Sequence, residues 1–158
     1  IAFAFMLGLL LMLVLWIRHN FPDRYDAGWI AKGGGLFSDK SHPPAGKFNF
    51  GQKAIFWMTI LGGAAASFTG VNLMFPFTYF GMQDMQLLQI IHAAVALGMI
   101  VVIFGHIYIG TLGIEGAFDA MGTGEVDENW AKHHHSAWAA EDEERPAVPQ
   151  PPQQQPAE

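Results

Sequence analysis

The sequence predicts an all-α integral membrane protein, built as a bundle of transmembrane helices with a flexible C-terminal tail. Of its 158 residues, 51% are hydrophobic and only 14% are charged. The apolar residues are gathered into three long blocks, and a helix needs about 20 of them to cross the hydrocarbon core of a bilayer. Composition and clustering therefore favour a membrane protein over a soluble globular domain.

Each apolar block predicts one membrane span. The first block, residues 1–17, contains no charged residue; the second covers residues 54–77 and the third residues 87–112. The first block begins abruptly at Ile1, without an initiator Met or the basic region of a signal peptide. We therefore expect an N-terminal part of the protein to be missing from this sequence, the alternative being a processed mature terminus.

The basic residues predict how the spans are oriented. Six of the eight lie in the segment 18–53 between the first two spans, whereas the turn 78–86 contains none. The positive-inside bias then makes the loop 18–53 and the segment 113–158 cytoplasmic, with the turn 78–86 on the outer side. Lys47 and Lys53 are expected to anchor this loop to anionic lipid headgroups.

The C-terminal segment is predicted to be a solvated appendage. Its last stretch, RPAVPQPPQQQPAE, has too few apolar residues to offset the entropy of ordering, so we expect disorder from about residue 142. Three consecutive histidines, residues 133–135, are interpreted as a surface or inner-leaflet segment, with a metal cluster as the alternative. The sequence has no cysteine, which excludes thiolate chemistry, and nothing in it supports nucleic-acid binding.

Two histidines, His92 and His106, lie inside the third apolar block. A polar ring in hydrocarbon is costly unless it is hydrogen-bonded or coordinates something. The two are 14 residues apart, which is about 21 Å along a helix and within about 40° around it. One helix face would carry two sites, His92 near the outer surface and His106 near the cytoplasmic one.

Several kinds of site could contain these rings. Either ring alone fits a histidine that is merely hydrogen-bonded to a neighbour. A proton relay would need intramembrane acids, which the spans lack, and a zinc or copper site would need ligands at one depth. Two b-type haems, each taking one axial nitrogen from this helix, fit best and would form an electron conduit. The second axial ligands are expected outside this sequence, with His19 as a poorly placed alternative.

A run of small residues, 62–67, lies in the second span. Such runs let a neighbouring backbone or a flat cofactor approach closely. Helix packing is the favoured interpretation here, with cofactor contact as the alternative.

Four stretches together resemble the membrane-embedded cytochrome b subunit, the gamma subunit, of respiratory formate dehydrogenase. They are HNFPDRYD (19–26), GKFNFGQK (46–53), IHAAVALGMIVVIFGHIYIG (91–110) with its histidine spacing, and GAFDAMGTGEVDENWAKHHH (116–135). The resemblance covers about residues 1–141, and it is the combination that is specific.

The resemblance implies a four-helix subunit with two haems b, of which three spans are present here and the N-terminal helix is missing. It implies that His92 ligates the iron of the outer haem and His106 that of the inner one. Electrons from a formate-oxidising molybdenum or tungsten subunit would pass an iron–sulfur subunit and the haems to a quinone near the cytoplasmic haem. The chain would then be a non-formate-oxidising subunit in a bacterial inner membrane, with Asn49 and Gln52 at the quinone pocket.

Chemistry leaves Asn49 open between two roles. A quinone headgroup needs hydrogen-bond donors at its carbonyl oxygens, but Asn is also a preferred residue at a helix N-terminus.

Two other functions of the whole protein stay open as well. One is the cytochrome b subunit of another quinone-coupled oxidoreductase, such as a hydrogenase. The other is a haem-free membrane anchor or transporter subunit whose histidines only pack and hydrogen-bond.

Overall fold

A computed structural model describes residues 1–35 and 42–144, and the regular elements within these ranges are all helical. The long helices are α1 (Ala2–Trp16), α3 (Phe50–Met74) and α4 (Met82–Tyr108). Each is long and apolar enough, with its flanking turn, to cross a membrane. The predicted all-α fold with three spans is confirmed. The shorter helices are α2 (Asp26–Ala31), α5 (Asp119–Gly122), α6 (Glu128–His134) and α7 (Ser136–Glu143).

The second and third long helices begin before their hydrophobic blocks do. Helix α3 begins at Phe50 rather than residue 54, because polar side chains cap its first turn. Helix α4 begins at Met82 rather than residue 87, where the Asp84 carboxylate accepts a hydrogen bond from the Gly81 N–H at 3.1 Å. A carboxylate in the first turn is also favoured by the helix dipole. The connection between α3 and α4 is therefore residues 75–81.

Two helix ends lie close to predicted boundaries. Helix α3 stops at Met74 rather than continuing to residue 77, since Phe75 precedes a proline and that position disfavours helical dihedral angles. Helix α7 extends to Glu143, next to the point at about residue 142 from which disorder is expected. The rest of the predicted disordered tail, residues 145–158, lies outside the described residues.

Helices α3 and α4 pack antiparallel with a register that can be read from two contacts. The hydroxyl of Thr69 faces the ring of His92, and seven residues away along each helix Gly62 faces the sulfur of Met99. Extending the register by another seven residues brings His106 level with Ile55. Asn49 precedes Ile55 by six residues, or about 9 Å of helix rise. The N-terminus of α3 and the C-terminal half of α4 therefore lie at the same end of the helix pair.

The small residues of α3 are used for helix packing. A Cβ at Gly63 would lie 2.7 Å from Leu9 Cδ1, and at Gly62 it would collide with Met99. Gly63 thus seats α1 and Gly62 seats α4. The packing interpretation of this run holds at these two positions.

The loop after α1 folds back onto the start of α3 through a buried cation. Lys53 Nζ lies 2.8 Å from Asp23 Oδ2 and 2.9 Å from each carboxylate oxygen of Asp26. Lys53 is 4% exposed and Asp26 is 6% exposed. The expectation that Lys53 anchors to lipid headgroups is wrong, because its ammonium is buried against two carboxylates of its own chain. Lys47 is exposed.

The C-terminal segment lies against the loop that precedes α3. His135 is buried and its Nδ1–H donates to the Gly46 carbonyl at 2.9 Å, while the Trp138 N–H donates to the Ala45 carbonyl at 3.3 Å. Trp130 in α6 donates its ring N–H to the Glu115 carbonyl at 2.8 Å. The bonds of His135 and Trp138 join residues from either side of the two long helices α3 and α4, whereas that of Trp130 lies within the C-terminal segment.

Candidate functional site

His92 is held by a hydrogen bond across the α3–α4 interface. Its Nδ1 lies 2.8 Å from the hydroxyl oxygen of Thr69, which is itself 2% exposed. That hydroxyl also lies 2.7 Å from the carbonyl oxygen of Ala65 and 3.2 Å from that of Ala66. Gly70 lies beside the ring, where a Cβ would come within 3.2 Å of His92 Cε1.

These contacts fit one tautomer of His92. A hydroxyl has a single proton, and a carbonyl oxygen can only accept. With the Thr69 proton on a backbone carbonyl one turn earlier, the hydroxyl accepts from Nδ1–H of His92, and every contact of the group is a hydrogen bond. In this tautomer Nε2 keeps a free lone pair, the form in which imidazole binds a metal.

His106 lies on the same face of α4 as His92, 14 residues further along the helix. Its ring is half-buried, and among the described residues it makes no hydrogen bond. Hydrogen bonding to a neighbouring residue therefore accounts for one ring nitrogen of His92 and for neither ring nitrogen of His106. His19, the alternative partner for His106, lies in the turn after α1 with its ring edge-on to Phe48 at a centroid distance of 6.4 Å.

Asn49 and Gln52 form a reciprocal cap at the start of α3. The Asn49 side-chain oxygen accepts from the Gln52 N–H at 3.0 Å, and the Gln52 side-chain oxygen accepts from the Asn49 N–H at 2.9 Å. The capping role that the sequence left open for Asn49 is confirmed, and Gln52 shares it.

The cap uses only the oxygens of the two amides. Backbone N–H groups can only donate, so the oxygen of each amide must be the atom in the cap, and each NH₂ group points elsewhere. Within the part of the chain that the structure describes, neither NH₂ group makes a hydrogen bond. The cap therefore leaves two amide donors at the end of α3 that lies about 9 Å beyond the level of His106.

The histidines of the C-terminal segment separate into two environments. His133 and His134 gather with His42, so that one ligand atom from each lies within 4.8 Å of the others. His135 points away to the Gly46 carbonyl. Burial lowers the pKa of His135 and outweighs the hydrogen bond to Gly46, which raises it. Burial likewise lowers the pKa of His134 and outweighs the hydrogen bond to the Trp130 carbonyl. The sequence allowed a metal cluster at residues 133–135 as an alternative, but it did not indicate His42, which is some 90 residues away.

Comparison with known families agrees with the helix arrangement. The sequence profile described as prokaryotic cytochrome b561 matches residues 1–124, which include all three long helices and both intramembrane histidines. The chain belongs to this cytochrome b561 family. Membership implies haem b, and the chain is a multi-pass membrane cytochrome b.

Three relatives with 30–33% sequence identity are named as cytochrome b556 subunits of formate dehydrogenases. The cytochrome b556(Fdn) subunit of the nitrate-inducible formate dehydrogenase of Escherichia coli K12 is 33% identical over 148 residues, 91% of this chain and 68% of the relative. The cytochrome b556(fdo) subunit of formate dehydrogenase from the same strain is 31% identical, over 84% of this chain and 63% of the relative. The cytochrome b556 subunit of Haemophilus influenzae formate dehydrogenase is 30% identical, over 84% and 56%. The resemblance seen in the sequence is confirmed.

The residues of this cytochrome b561 family member fit haem b. Among the described residues, His92 uses only Nδ1 for a hydrogen bond, and the ring of His106 makes none. Both lie on one face of α4, separated by 14 residues, or about 21 Å, which allows two separate iron sites. None of the three long helices contains another histidine, so His92 and His106 are the two imidazoles that these helices offer to haem iron.

Proposed function

We propose that this chain is the membrane subunit of a formate dehydrogenase complex that carries electrons through two haems b to a quinone. His92 and His106 each provide one axial ligand, and Asn49 and Gln52 donate hydrogen bonds to the quinone. The relatives named above are cytochrome subunits of formate dehydrogenases. The partners are then an iron–sulfur subunit and a molybdenum- or tungsten-containing subunit that oxidises formate.

The observation that carries the proposal is the spacing and chemical state of the two histidines. They share one face of α4 at opposite depths, and the contact between Thr69 and Nδ1 of His92 fits the tautomer with a free Nε2. Haem b supplies one-electron redox chemistry when it is bound. A haem-free anchor would have no need of a histidine whose ring lacks a protein partner, as that of His106 does among the described residues.

The helix register supports a quinone site at the His106 end of the helices. The free amide NH₂ groups of Asn49 and Gln52 lie at the end of α3 about 9 Å from the level of His106. Amide donors suit the carbonyl oxygens of a quinone, and reduction of a quinone to a quinol consumes two electrons and two protons. A site near a membrane surface gives those protons a short path from water.

Charge distribution supports placing that end of the protein in the cytoplasm. The loop before α3 contains most of the basic residues, and the short connection between α3 and α4 contains none. The relatives are proteins of Escherichia coli and Haemophilus influenzae, which supports a bacterial inner membrane.

Stopped-flow spectroscopy of the intact complex tests the function. Formate should reduce haem b, and added quinone should then reoxidise it. A complex in which formate leaves haem b oxidised, while hydrogen reduces it, would contradict the assignment to formate dehydrogenase. Absence of a haem b spectrum from the purified protein would contradict the electron conduit itself.

A further inference from the structure

The structure brings three imidazoles together outside the membrane-spanning helices. His42 comes from the loop before α3, and His133 and His134 from the end of α6. The ring of His42 lies 4.3 Å from that of His133 and 4.7 Å from that of His134, measured between centroids. One nitrogen of each ring lies within 4.8 Å of the others.

We propose that His42, His133 and His134 bind a divalent transition-metal ion, with zinc as the ion that fits best. Three imidazoles with a water as the fourth ligand complete the tetrahedral coordination that zinc prefers. Imidazole nitrogens suit zinc, copper and nickel, whereas magnesium and calcium require oxygen ligands. The proposal concerns a site separate from the haem ligands and does not depend on the proposed function.

The distances allow closure around an ion with small movements. Two nitrogens bound to a tetrahedral zinc at about 2.05 Å lie about 3.3 Å apart. Drawing three nitrogens in from 4.8 Å to that separation moves each by about 1 Å or less. The ring of His133 is exposed and that of His134 is half-buried, so side-chain rotation can provide such a movement.

The surroundings of His134 prepare it as a ligand. Its Nδ1–H donates to the Trp130 carbonyl at 3.1 Å, which leaves the lone pair on Nε2. Metal-bound histidines usually donate their other N–H to a carbonyl or carboxylate in this way. The ring also stacks on Trp130, with centroids 4.5 Å apart and an interplanar angle of 24°.

A bound ion would connect two segments that are already in contact. His135 and Trp138 hydrogen-bond to Gly46 and Ala45, close to the three histidines. The ion would add a cross-link between the loop before α3 and the C-terminal segment, and any ligand that binds only the folded state raises its stability. We therefore expect zinc to raise the melting temperature.

Zinc titration of the purified protein tests the site. The protein is prepared in detergent through an affinity tag without histidines, treated with a chelator, and titrated with zinc chloride by calorimetry. We expect about one tight zinc site per chain. His42→Gln and His133→Gln should each weaken zinc binding by more than about tenfold, since even loss of a group that only orients a ligand costs 10- to 100-fold. His19→Gln, which removes a histidine outside the cluster, should bind as the parent does.

X-ray absorption at the zinc edge gives a second readout that haem iron does not disturb. Three imidazole ligands are expected in the parent. The proposal is overturned if the parent binds no zinc, if either cluster variant binds like the parent, or if His19→Gln weakens binding equally. Should His42→Gln fail to fold, as judged by its melting curve, the exposed His133→Gln variant decides the question.

Discussion

The hydroxyl oxygen of Thr69 and Nδ1 of His92 lie 2.8 Å apart across the interface between α3 and α4. With the Thr69 proton on a carbonyl of α3, the hydroxyl accepts from the imidazole N–H. If His92 is a haem ligand, as proposed, this bond leaves Nε2 for the iron. An N–H donor bond makes the imidazole a more basic ligand, and a more basic ligand stabilises ferric iron.

Thr69→Val is expected to raise the midpoint potential of the haem bound by His92. Valine keeps the shape but removes the acceptor, a loss of about 0.5–1.5 kcal/mol, or roughly 20–65 mV for one electron. Spectroscopic redox titration measures the effect. Thr69→Ser keeps the hydroxyl and should titrate like the parent. An unchanged potential in Thr69→Val would show that Thr69 does not govern this ligand.

His92→Ala and His106→Ala are each expected to remove one haem and leave the other. The two rings are 14 residues apart on α4, about 21 Å, so loss of one axial ligand should not reach the second site. Haem extraction and quantitation per polypeptide should give half the parental content in each variant. Parental content in both variants would contradict the assignment of these histidines as ligands.

Lys53→Met is expected to destabilise the fold by about 3–5 kcal/mol, because it leaves the carboxylates of Asp23 and Asp26 facing each other without a cation. Thermal unfolding in detergent, followed by tryptophan fluorescence, measures the change. Lys47→Met removes an exposed lysine from the same loop and should unfold like the parent. Equal melting temperatures for the two variants would mean that the buried cluster adds nothing to stability.

Acidification is expected to weaken the same cluster through Asp23. Burial opposes ionisation of this carboxyl most strongly, but Lys53 and the backbone N–H groups of Tyr25 and Asp26 outweigh it, so the pKa of Asp23 lies below its ordinary value of 3.8. A carboxyl with a lowered pKa contributes stability that is complete above the unfolded value and is lost as the pH falls through the folded value. The melting temperature should therefore begin to drop below about pH 5 and continue to drop as the pH falls through the lowered pKa of the folded state. The drop should be smaller in Asp23→Asn.

The sequence was sufficient for the spans but not for the contacts between them. Hydrophobic blocks predict helices because a bilayer requires them, and the histidine spacing follows from helix geometry alone. The pairing of Thr69 with His92 depends on the register between two helices, which no local pattern encodes. The same holds for His42, which meets His133 and His134 only after the chain has passed through α3 and α4. Lys53 was misassigned because charge near a span end fits both a lipid anchor and a buried ion pair.

The capping box at the start of α3 allows its structural role to be separated from quinone binding. Asn49 and Gln52 use their side-chain oxygens for the cap, so Asn49→Asp and Gln52→Glu keep both capping acceptors and remove only the NH₂ donors. Helix stability and haem content should therefore stay at parental levels, whereas Asn49→Ala should lose about 1 kcal/mol of stability with the cap.

A lost hydrogen bond to a buried quinone oxygen costs about 1–3 kcal/mol, and 1.4 kcal/mol is a factor of about ten in affinity. Stopped-flow reoxidation of reduced haem b by quinone should accordingly slow about tenfold in Asn49→Asp at subsaturating quinone, while reduction by formate proceeds at the parental rate. Reoxidation at the parental rate in both Asn49→Asp and Gln52→Glu would place the quinone elsewhere and leave these two residues as a helix cap alone.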